Sequence, residues 1–315
     1  MAYLAIDFGG TRTRAAWFDD RMMMTDRAET LSTVSDPEDV VIQRLIDLAI
    51  TVIPMDAVPD AIGIAAPGPL DPTTGTILHA ETLPGWKNVP LANHVSIAIG
   101  GVPAFMRNDA NLAALAESYF GVAKDADPVL YLTVSTGIGG GAVIGGALFT
   151  GWRGMAIEPG HMLFRTKDGR ICRLEELASG TALGRIATER LASDKRRKSS
   201  LRDLEVIDGQ AVGEAALAGD KFAQQIVRES AEWLGMGLVN LVHLFNPQAI
   251  VLGGSVTLLG DLIFGPVREV LQRETLSPLF NDPYLVRAAA LGDDVCLYGA
   301  AHYARTHARW LRKPE

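Results

Sequence analysis

Short apolar runs alternate with amphipathic segments along the chain, and glycine-rich turns separate several of them. Apolar residues recur at helical spacing over 37–53, 221–245 and about 295–311, and again after Asn108, so helices are predicted there. Short apolar runs bounded by turn residues predict buried strands. These runs are "YLAID", "RAAWF", "DAIGIAA", "VPAFM", "VLYLTV", "AVIGGALF" and "QAIVLGG". Strands that alternate with helices predict an α/β fold with largely buried sheets.

The two halves of the chain share one order of strand, glycine turn and strand. In the first half this order spans "YLAIDFGGTRTRAAWF", and in the second half "VLYLTVSTGIGGGAVIGGALF". A chain of 315 residues is long enough for two domains. Two domains of similar plan are therefore expected.

Composition limits which classes of binding partner and which cellular compartment are expected. The net charge of −8 disfavours nucleic acid, because phosphate binding needs a basic field. The basic run "SDKRRKSS" is accordingly interpreted as a solvated loop. Two cysteines cannot form a disulfide framework, which suggests a reducing compartment. The start of the sequence lacks the basic region of a signal peptide. The uncharged stretch Pro128–Trp152 is rich in glycine, so it is a poor candidate for a membrane helix. We expect a cytoplasmic protein with neither a nucleic-acid nor a membrane partner.

Both glycine turns carry groups that suit a phosphate chain. Gly9 and Gly10 let backbone N–H groups approach an anion, and Thr11 and Thr13 offer hydroxyl donors. The second half offers the same hydroxyl and backbone N–H donors, at Ser135, Thr136 and Gly137. A tight hairpin needs glycine in any case, so each turn alone is weak evidence. The carboxylate of Asp7, at the end of the first strand, would suit Mg²⁺, usually through water.

A carboxylate is predicted at the start of a helix, in "NDANLAALAE". Asn108 or Asp109 could simply cap the helix, because both residue types are preferred there. One cap needs only one of them, however. The helix N-terminus favours an ionised carboxylate, so Asp109 could accept the proton of a hydroxyl that attacks phosphorus.

Further polar residues follow in "AIEPGHMLF" and "CRLEELASGTAL". Glu158, His161 and Glu175 each have an ordinary structural interpretation when taken alone. Together they form a set of carboxylates and one imidazole that could pair with adjacent hydroxyl groups.

These motifs resemble those of the ROK family of bacterial sugar kinases and related repressors. The similar segments include "LAIDFGGTRTRAAWFD", "GIAAPGPLDPTTGTI", "LPGWKNVPL", "NDANLAALAE", "STGIGGGAVIGGALFTG", "EPGH", "LEELASGTAL" and "NLVHLFNPQAIVLGGSV". They occur in family order from residue 3 to about 300.

The resemblance implies a glucokinase-like enzyme with an actin-like (ribonuclease H-like) fold of two α/β domains around a central cleft. The domains would be 1–110 plus about 295–315, and 111–294. ATP with Mg²⁺ would phosphorylate a hexose or N-acetylhexosamine at the 6-hydroxyl, and Asp109 would be the catalytic base. Sugar contacts are implied for Gly68, Asn108, Asp109, Glu158, His161 and Glu175. Nucleotide contacts are implied for Asp7, Gly9, Gly10, Thr11, Thr136, Gly137, Gly253 and Gly254. A homodimer is expected by resemblance only.

The chain departs from the family pattern at two places. Many members hold a structural zinc through one His and three closely spaced Cys, whereas this region contains only Cys172. One thiolate and one imidazole cannot complete a tetrahedral site, so no structural zinc is expected. Pro159 is the second departure, and it could shift Glu158 and alter the preferred sugar.

Other activities stay open at this point. The acceptor could be an N-acetylated hexose such as N-acetylmannosamine, and the donor could be polyphosphate instead of ATP. A sugar-binding protein without catalysis is the alternative from another class, although Asp109 and both turns argue against it. A repressor is disfavoured by the acidic charge and by a first strand that begins at residue 3.

Overall fold

The computed structural model of the chain describes residues 1–80, 82–280 and 282–311. Its strands are β1 (Tyr3–Phe8), β2 (Arg12–Phe18), β3 (Met24–Leu31), β4 (Ala61–Ala66), β5 (Leu70–Asp71), β6 (Thr76–His79), β7 (Lys87–Val89), β8 (Ala104–Asn108), β9 (Val129–Val134), β10 (Ile138–Ile144), β11 (Ala147–Leu148), β12 (Leu163–Arg165), β13 (Ile171–Arg173), β14 (Ala249–Gly253) and β15 (Val286–Ala288). Its α-helices are α1 (Glu38–Thr51), α2 (Leu91–Ala98), α3 (Asp109–Tyr119), α4 (Leu174–Ala178), α5 (Gly180–Ser193), α6 (Gly209–Leu217), α7 (Lys221–Phe245), α8 (Asp261–Glu274) and α9 (Val295–Leu311).

By their internal contacts the residues form two compact units. The first contains Met1–Lys124, Ala147–Ala156 and the described residues from Ala290 onward. The second contains Asp125–Gly146 and Ile157–Ala289. The domain boundary expected near residue 110 falls inside α3, and all of α3 belongs to the first unit.

The first unit is built on a five-stranded sheet in the order β3-β2-β1-β4-β8. β1 pairs antiparallel with β2 and parallel with β4, and β4 pairs parallel with β8. Buried apolar residues of β1, β4 and α1 form one core with residues of the small sheet β5-β6-β7. The parallel strands β1, β4 and β8 therefore end at the same edge of the sheet, which places Asp7 and Asn108 at that edge.

The second unit repeats this pairing around β9. β9 pairs antiparallel with β10 and parallel with β14, and β14 pairs parallel with β15. The long helix α7 is amphipathic, and its apolar side lies in the core of this unit. The predicted α/β architecture with two parts of similar plan is therefore confirmed. No helix in the described part of the chain is long and apolar enough to cross a membrane.

Helix α9 brings the end of the chain back to the first unit. A Cβ at Gly63 in β4 would lie 2.0 Å from the carbonyl oxygen of Ala300, and a Cβ at Gly299 would lie 2.0 Å from that of Leu112. Only glycine permits these close backbone approaches. As a result, α9 packs directly on β4 and on α3.

Two details of the predicted elements were wrong. The glycines 139–141, assigned to a turn, lie within β10, so the turn itself is only Ser135–Gly137. A Cβ at Gly140 would lie 2.8 Å from Pro159, which shows that this strand needs glycine for packing. The strand assigned to 142–149 is interrupted, because Gly145 and Gly146 adopt positive φ between β10 and β11.

Candidate active site

The predicted site residues divide between the two units. The first unit holds Asp7, Gly9, Gly10, Thr11, Gly68, Asn108 and Asp109. The second holds Thr136, Gly137, Glu158, His161, Glu175, Gly253 and Gly254.

Strand β8 runs directly into α3, and Asn108 caps that helix. Its side-chain oxygen accepts from the backbone N–H groups of Ala110 at 3.0 Å and Asn111 at 3.4 Å. Asp109 is then the first residue of the helix, and its Oδ1 accepts from the N–H of Ala110 at 2.7 Å. Because Asn108 serves as the cap, Asp109 is not needed for that role.

The carboxylate of Asp109 is only partly exposed. Burial raises its pKa, against hydrogen bonds from the Ala110 N–H and from Asn108 that lower it. The sequence predicted the stabilising effect of the helix N-terminus and missed the loss of hydration, which outweighs the few hydrogen-bond donors. A raised pKa suits a general base, which works best when its pKa lies near the working pH.

A second carboxylate lies close to Asp109 in the first unit. Asp7 is 7% exposed and accepts from Arg14 Nη1 at 3.2 Å. Burial raises the pKa of Asp7 to about 6, Arg14 opposes this, and the negative charge of Asp109 adds to it. The thiol of Cys296 donates to the carbonyl oxygen of Asp109 at 3.6 Å, and burial beside both carboxylates raises its pKa well above the usual value.

The first glycine turn is braced from within. The N–H of Gly9 donates to the carbonyl oxygen of Arg12 at 3.0 Å, and the hydroxyl of Ser32 donates to the carbonyl oxygen of Gly9 at 2.6 Å. Thr13 is 2% exposed, with its hydroxyl 2.9 Å from that of Ser32, so its assignment to a phosphate was wrong. Thr11 is exposed and remains a candidate.

Gly68 follows β4 and lies beside Asn108. A Cβ at Gly68 would be 3.5 Å from Nδ2 of Asn108. Two of the residues predicted to contact the sugar are therefore neighbours in the first unit, together with the adjacent Asp109.

In the second unit Glu158 and His161 share one short 3-10 turn. The N–H of His161 donates to the carbonyl oxygen of Glu158 at 3.1 Å, and both residues are exposed. The turn is pinned to β10, because a Cβ at Gly160 would lie 2.2 Å from the carbonyl oxygen of Ile138. Ile157, just before Glu158, has a φ of 65°, which is strained for a β-branched residue.

Glu175 lies near the second glycine turn. Its Oε2 would be 3.5 Å from a Cβ at Gly137, and its Oε1 lies 3.3 Å from Nη1 of Arg173. The second unit therefore brings a predicted sugar contact next to a predicted phosphate contact.

A cavity of about 770 Å³ lies beside Thr136 in the second unit. This volume is ordinary for a small-molecule site, and the lining combines apolar side chains with hydroxyl and backbone polar groups. The lining residues include Ser135, Thr136, Gly180, Thr181, Ile207, Gly213, Ser255, Val256 and Leu259. The lining residues from Gly180 onward were missed by sequence reasoning.

Gly253 and Gly254 have packing reasons to be glycine. A Cβ at Gly253 would lie 2.3 Å from the hydroxyl of Tyr131, and one at Gly254 would lie 2.5 Å from the carbonyl oxygen of Val134. Gly254 also has a φ of 90°. The segment after them, beginning at Ser255, is the part that lines the cavity.

Among the described residues, no group of three or more His, Cys, Asp or Glu side chains could hold a metal ion. Cys172 lies in β13, where it is half-buried, and it is a free thiol.

The chain is similar to known sugar kinases over nearly its whole length. The structure is similar to a ROK hexokinase from Thermus thermophilus (TM-score 0.80, 32% identity, 98% of this chain and 99% of that chain). It is also similar to a ROK family glucokinase from Streptomyces griseus in complex with glucose and AMPPNP (TM-score 0.80, 31% identity, 97% and 100%). A glucokinase of Thermotoga maritima is 31% identical over 96% of both chains.

The fold is therefore that of the actin-like two-domain sugar kinases, as the sequence predicted. The family model described as "ROK family" matches residues 3–307. The chain belongs to the ROK family.

Proposed function

We propose that this protein transfers the γ-phosphoryl group of ATP to the 6-hydroxyl of a hexose, with Asp109 as the general base. The observation that carries the proposal is the start of α3, where Asn108 caps the helix and leaves a partly buried carboxylate of raised pKa at its first position. Similarity over nearly the whole length to glucokinases supports ATP as the donor and a hexose as the acceptor.

Asp109 would take the proton of the sugar hydroxyl while the hydroxyl oxygen bonds to phosphorus and ADP leaves. Gly68 and Asn108 would orient the hydroxyl from the first unit, where they lie side by side. Glu158, His161 and Glu175 would accept or donate hydrogen bonds to other sugar hydroxyls. Positioning and charge neutralisation are the main demands of phosphoryl transfer.

The cavity beside Thr136 would hold the adenosine, and both glycine turns would contact the phosphates through Gly9, Gly10, Thr11, Thr136 and Gly137. Asp7 would hold Mg²⁺ through water, because Arg14 already engages its Oδ2. The metal ion would supply charge neutralisation of the phosphates. No structural zinc is expected, so metal analysis of the purified protein should find none in stoichiometric amount.

Release of ADP, measured by a coupled assay against glucose, mannose, N-acetylglucosamine and N-acetylmannosamine, tests the activity. Turnover with a hexose supports the proposal. A preference for an N-acetylated sugar would instead identify an N-acetylhexosamine as the acceptor. Sugar-dependent thermal stabilisation without turnover, with either ATP or polyphosphate, would instead support a non-catalytic sugar-binding protein.

Asp109→Asn tests the base. Turnover should fall roughly 10²- to 10⁴-fold, the range for a general base, while sugar affinity changes little. Asp261→Asn is a matched control, because Asp261 is also the first residue of a helix but is exposed. A kcat of Asp109→Asn equal to that of the control would remove Asp109 from this role.

We also propose a cytoplasmic homodimer. The two free cysteines support a reducing compartment, and the dimer rests on family resemblance. Light scattering after size-exclusion chromatography would give the mass, and a monomer at assay concentration would contradict the dimer.

A further inference from the structure

A second cavity, of about 540 Å³, lies in the first unit and is lined by none of the residues assigned above to sugar or nucleotide. We define it as the Arg107 pocket. Its walls are Leu70–Thr73 with Leu78, Arg107 on β8, and the loop Thr150–Met155. The volume falls in the range of small-molecule sites.

The loop that forms one wall is firmly placed. Gly154 has a φ of 75°, and a Cβ there would lie 2.6 Å from Cγ of Pro72. The N–H of Ala156 donates to the carbonyl oxygen of Thr150 at 3.1 Å, which closes the loop at its base. These contacts fix the position of this wall against Pro72.

Arg107 is a half-buried cation that hydrogen-bonds to Tyr303 and senses the negative charge of Asp71, without a close ion pair to any described carboxylate. Its Nη1 donates to the carbonyl oxygen of Met106 at 3.1 Å, and its guanidinium lies 4.8 Å from the ring centre of Tyr303. Its Nε is buried and has no hydrogen-bond partner among the described residues, and burial lowers its pKa. A desolvated guanidinium with an unpaired donor is stabilised by an oxyanion.

A second guanidinium group, that of Arg153, belongs to the lining of the Arg107 pocket. Arg153 is exposed and lines the pocket from the loop Thr150–Met155. The acidic residue of the lining, Asp71, already accepts from the N–H of Thr73 at 2.9 Å and from Oγ1 of Thr74 at 3.0 Å. The lining therefore carries two guanidinium groups and one carboxylate, which leaves it net positive.

The rest of the lining suits a polyol. Trp152 is 92% exposed and presents an indole face, which can stack on a sugar ring. The hydroxyls of Thr73 and Thr150 add hydrogen-bonding groups at the rim. We propose that the Arg107 pocket binds a phosphorylated sugar, with the phosphate on Arg107 and Arg153 and the ring against Trp152.

Intrinsic fluorescence of the intact protein, titrated with glucose 6-phosphate in the absence of ATP, tests this binding. Trp152 is the reporter, and Trp152→Phe identifies its share of the signal. A saturable change in the wild type that is lost in Trp152→Phe is expected. An equal change in both proteins would overturn the proposal, because the sugar phosphate would then bind elsewhere.

Arg153→Met should weaken the affinity at least tenfold, because one charge-assisted contact is lost. Arg107→Lys keeps the charge but not the guanidinium fork, so it should weaken binding too, with a melting curve to confirm folding. Arg21→Met, an exposed arginine of the same unit outside the pocket, is the matched control and should bind normally. Unchanged affinity of Arg153→Met would refute the site.

Two further ligands test the contributions of the sugar and of the phosphate separately. Inorganic phosphate that binds as tightly as glucose 6-phosphate would overturn the sugar component, and glucuronate that binds more tightly would overturn the phosphate. Binding is measured without turnover, so a failed kinase assay and a failed titration are distinguishable.

Discussion

The two glycine turns, Gly9–Thr11 and Ser135–Gly137, share a sequence pattern but differ in what surrounds them. In the first turn, Cβ atoms at Gly9 and Gly10 would lie 3.1 Å from the carbonyl oxygens of Arg12 and Thr82. At Gly137 a Cβ would meet only the tip of Glu175, at 3.5 Å. The first turn needs glycine for its own packing, whereas the second leaves space around its glycine.

The strands before the turns differ as well. Across the first hairpin Asp7 pairs with Arg14, and across the second Thr133 pairs with Gly139. The first hairpin therefore carries a buried carboxylate with its guanidinium partner, while the second is uncharged at that position. A shared glycine pattern does not by itself identify a phosphate site, because local packing accounts for the first turn and not for the second.

Among the variants, Asp7→Asn should have the largest effect, because it removes the buried carboxylate that distinguishes the first hairpin from the second. The folded pKa of Asp7, about 6, lies above the usual 3.8, so its favourable contribution is present at low pH and lost as pH rises through 6. Between about pH 4.5 and about pH 8 this group should remove about 2 kcal/mol from the free energy of unfolding. Urea unfolding of Asp7→Asn should lack this loss.

Asp20→Asn, an exposed aspartate of the same unit, is the control and should keep the wild-type pH dependence. If Asp7→Asn and Asp20→Asn show the same pH profile, the carboxyl of Asp7 is not desolvated as described.

Ser32→Ala should destabilise the first turn by about 1.5 kcal/mol, because the carbonyl of Gly9 and the hydroxyl of Thr13 lose their shared partner. Ser135→Ala in the second turn should change stability by less than about 0.5 kcal/mol, since no hydrogen bond of its hydroxyl is found among the described residues. Both turns are held by backbone hydrogen bonds, so the two variants compare only the serine hydroxyls. Equal losses in chemical denaturation would show that the Ser32 hydroxyl does not stabilise its turn more than the Ser135 hydroxyl does.

Gly137→Val should raise the KM for ATP about tenfold, or about 1.4 kcal/mol, with little change in melting temperature. The space around Gly137 accepts a side chain, so any effect arises from crowding of the phosphates. Gly10→Ala, in contrast, should lower the melting temperature, because its Cβ would press on Thr82. A marked loss of stability in Gly137→Val would show that the second turn is also packed.

Long elements were predicted well and short ones poorly. The predicted bounds of α7 and α9 match the structure, because many apolar positions at helical spacing mark such helices. The sheet β5-β6-β7 was missed, since its strands have only two to four residues and lie between prolines and glycines. The residues 139–141 look like a turn in sequence but pair with β9 as a strand, and Pro159 packs where a side chain at Gly140 would lie.

Site chemistry was predictable in kind but not in detail. "Asn-Asp" before an apolar helix indicated one cap and one spare carboxylate, and the sequence could not say that burial would raise the pKa of Asp109. The cavity beside Thr136 is lined by segments far apart in sequence, such as Gly180, Gly213 and Ser255. No local pattern joins these segments, because only folding brings them together.

The way α9 returns to the first unit sets an order of assembly during synthesis. Most of the second unit is one continuous segment, Ile157–Ala289, which precedes α9 in the chain. The faces of β4 and α3 that receive Ala300 and Gly299 stay uncovered until α9 has left the ribosome. The candidate base at Asp109, which precedes that segment in the chain, therefore acquires its finished surroundings only after α9 has been made.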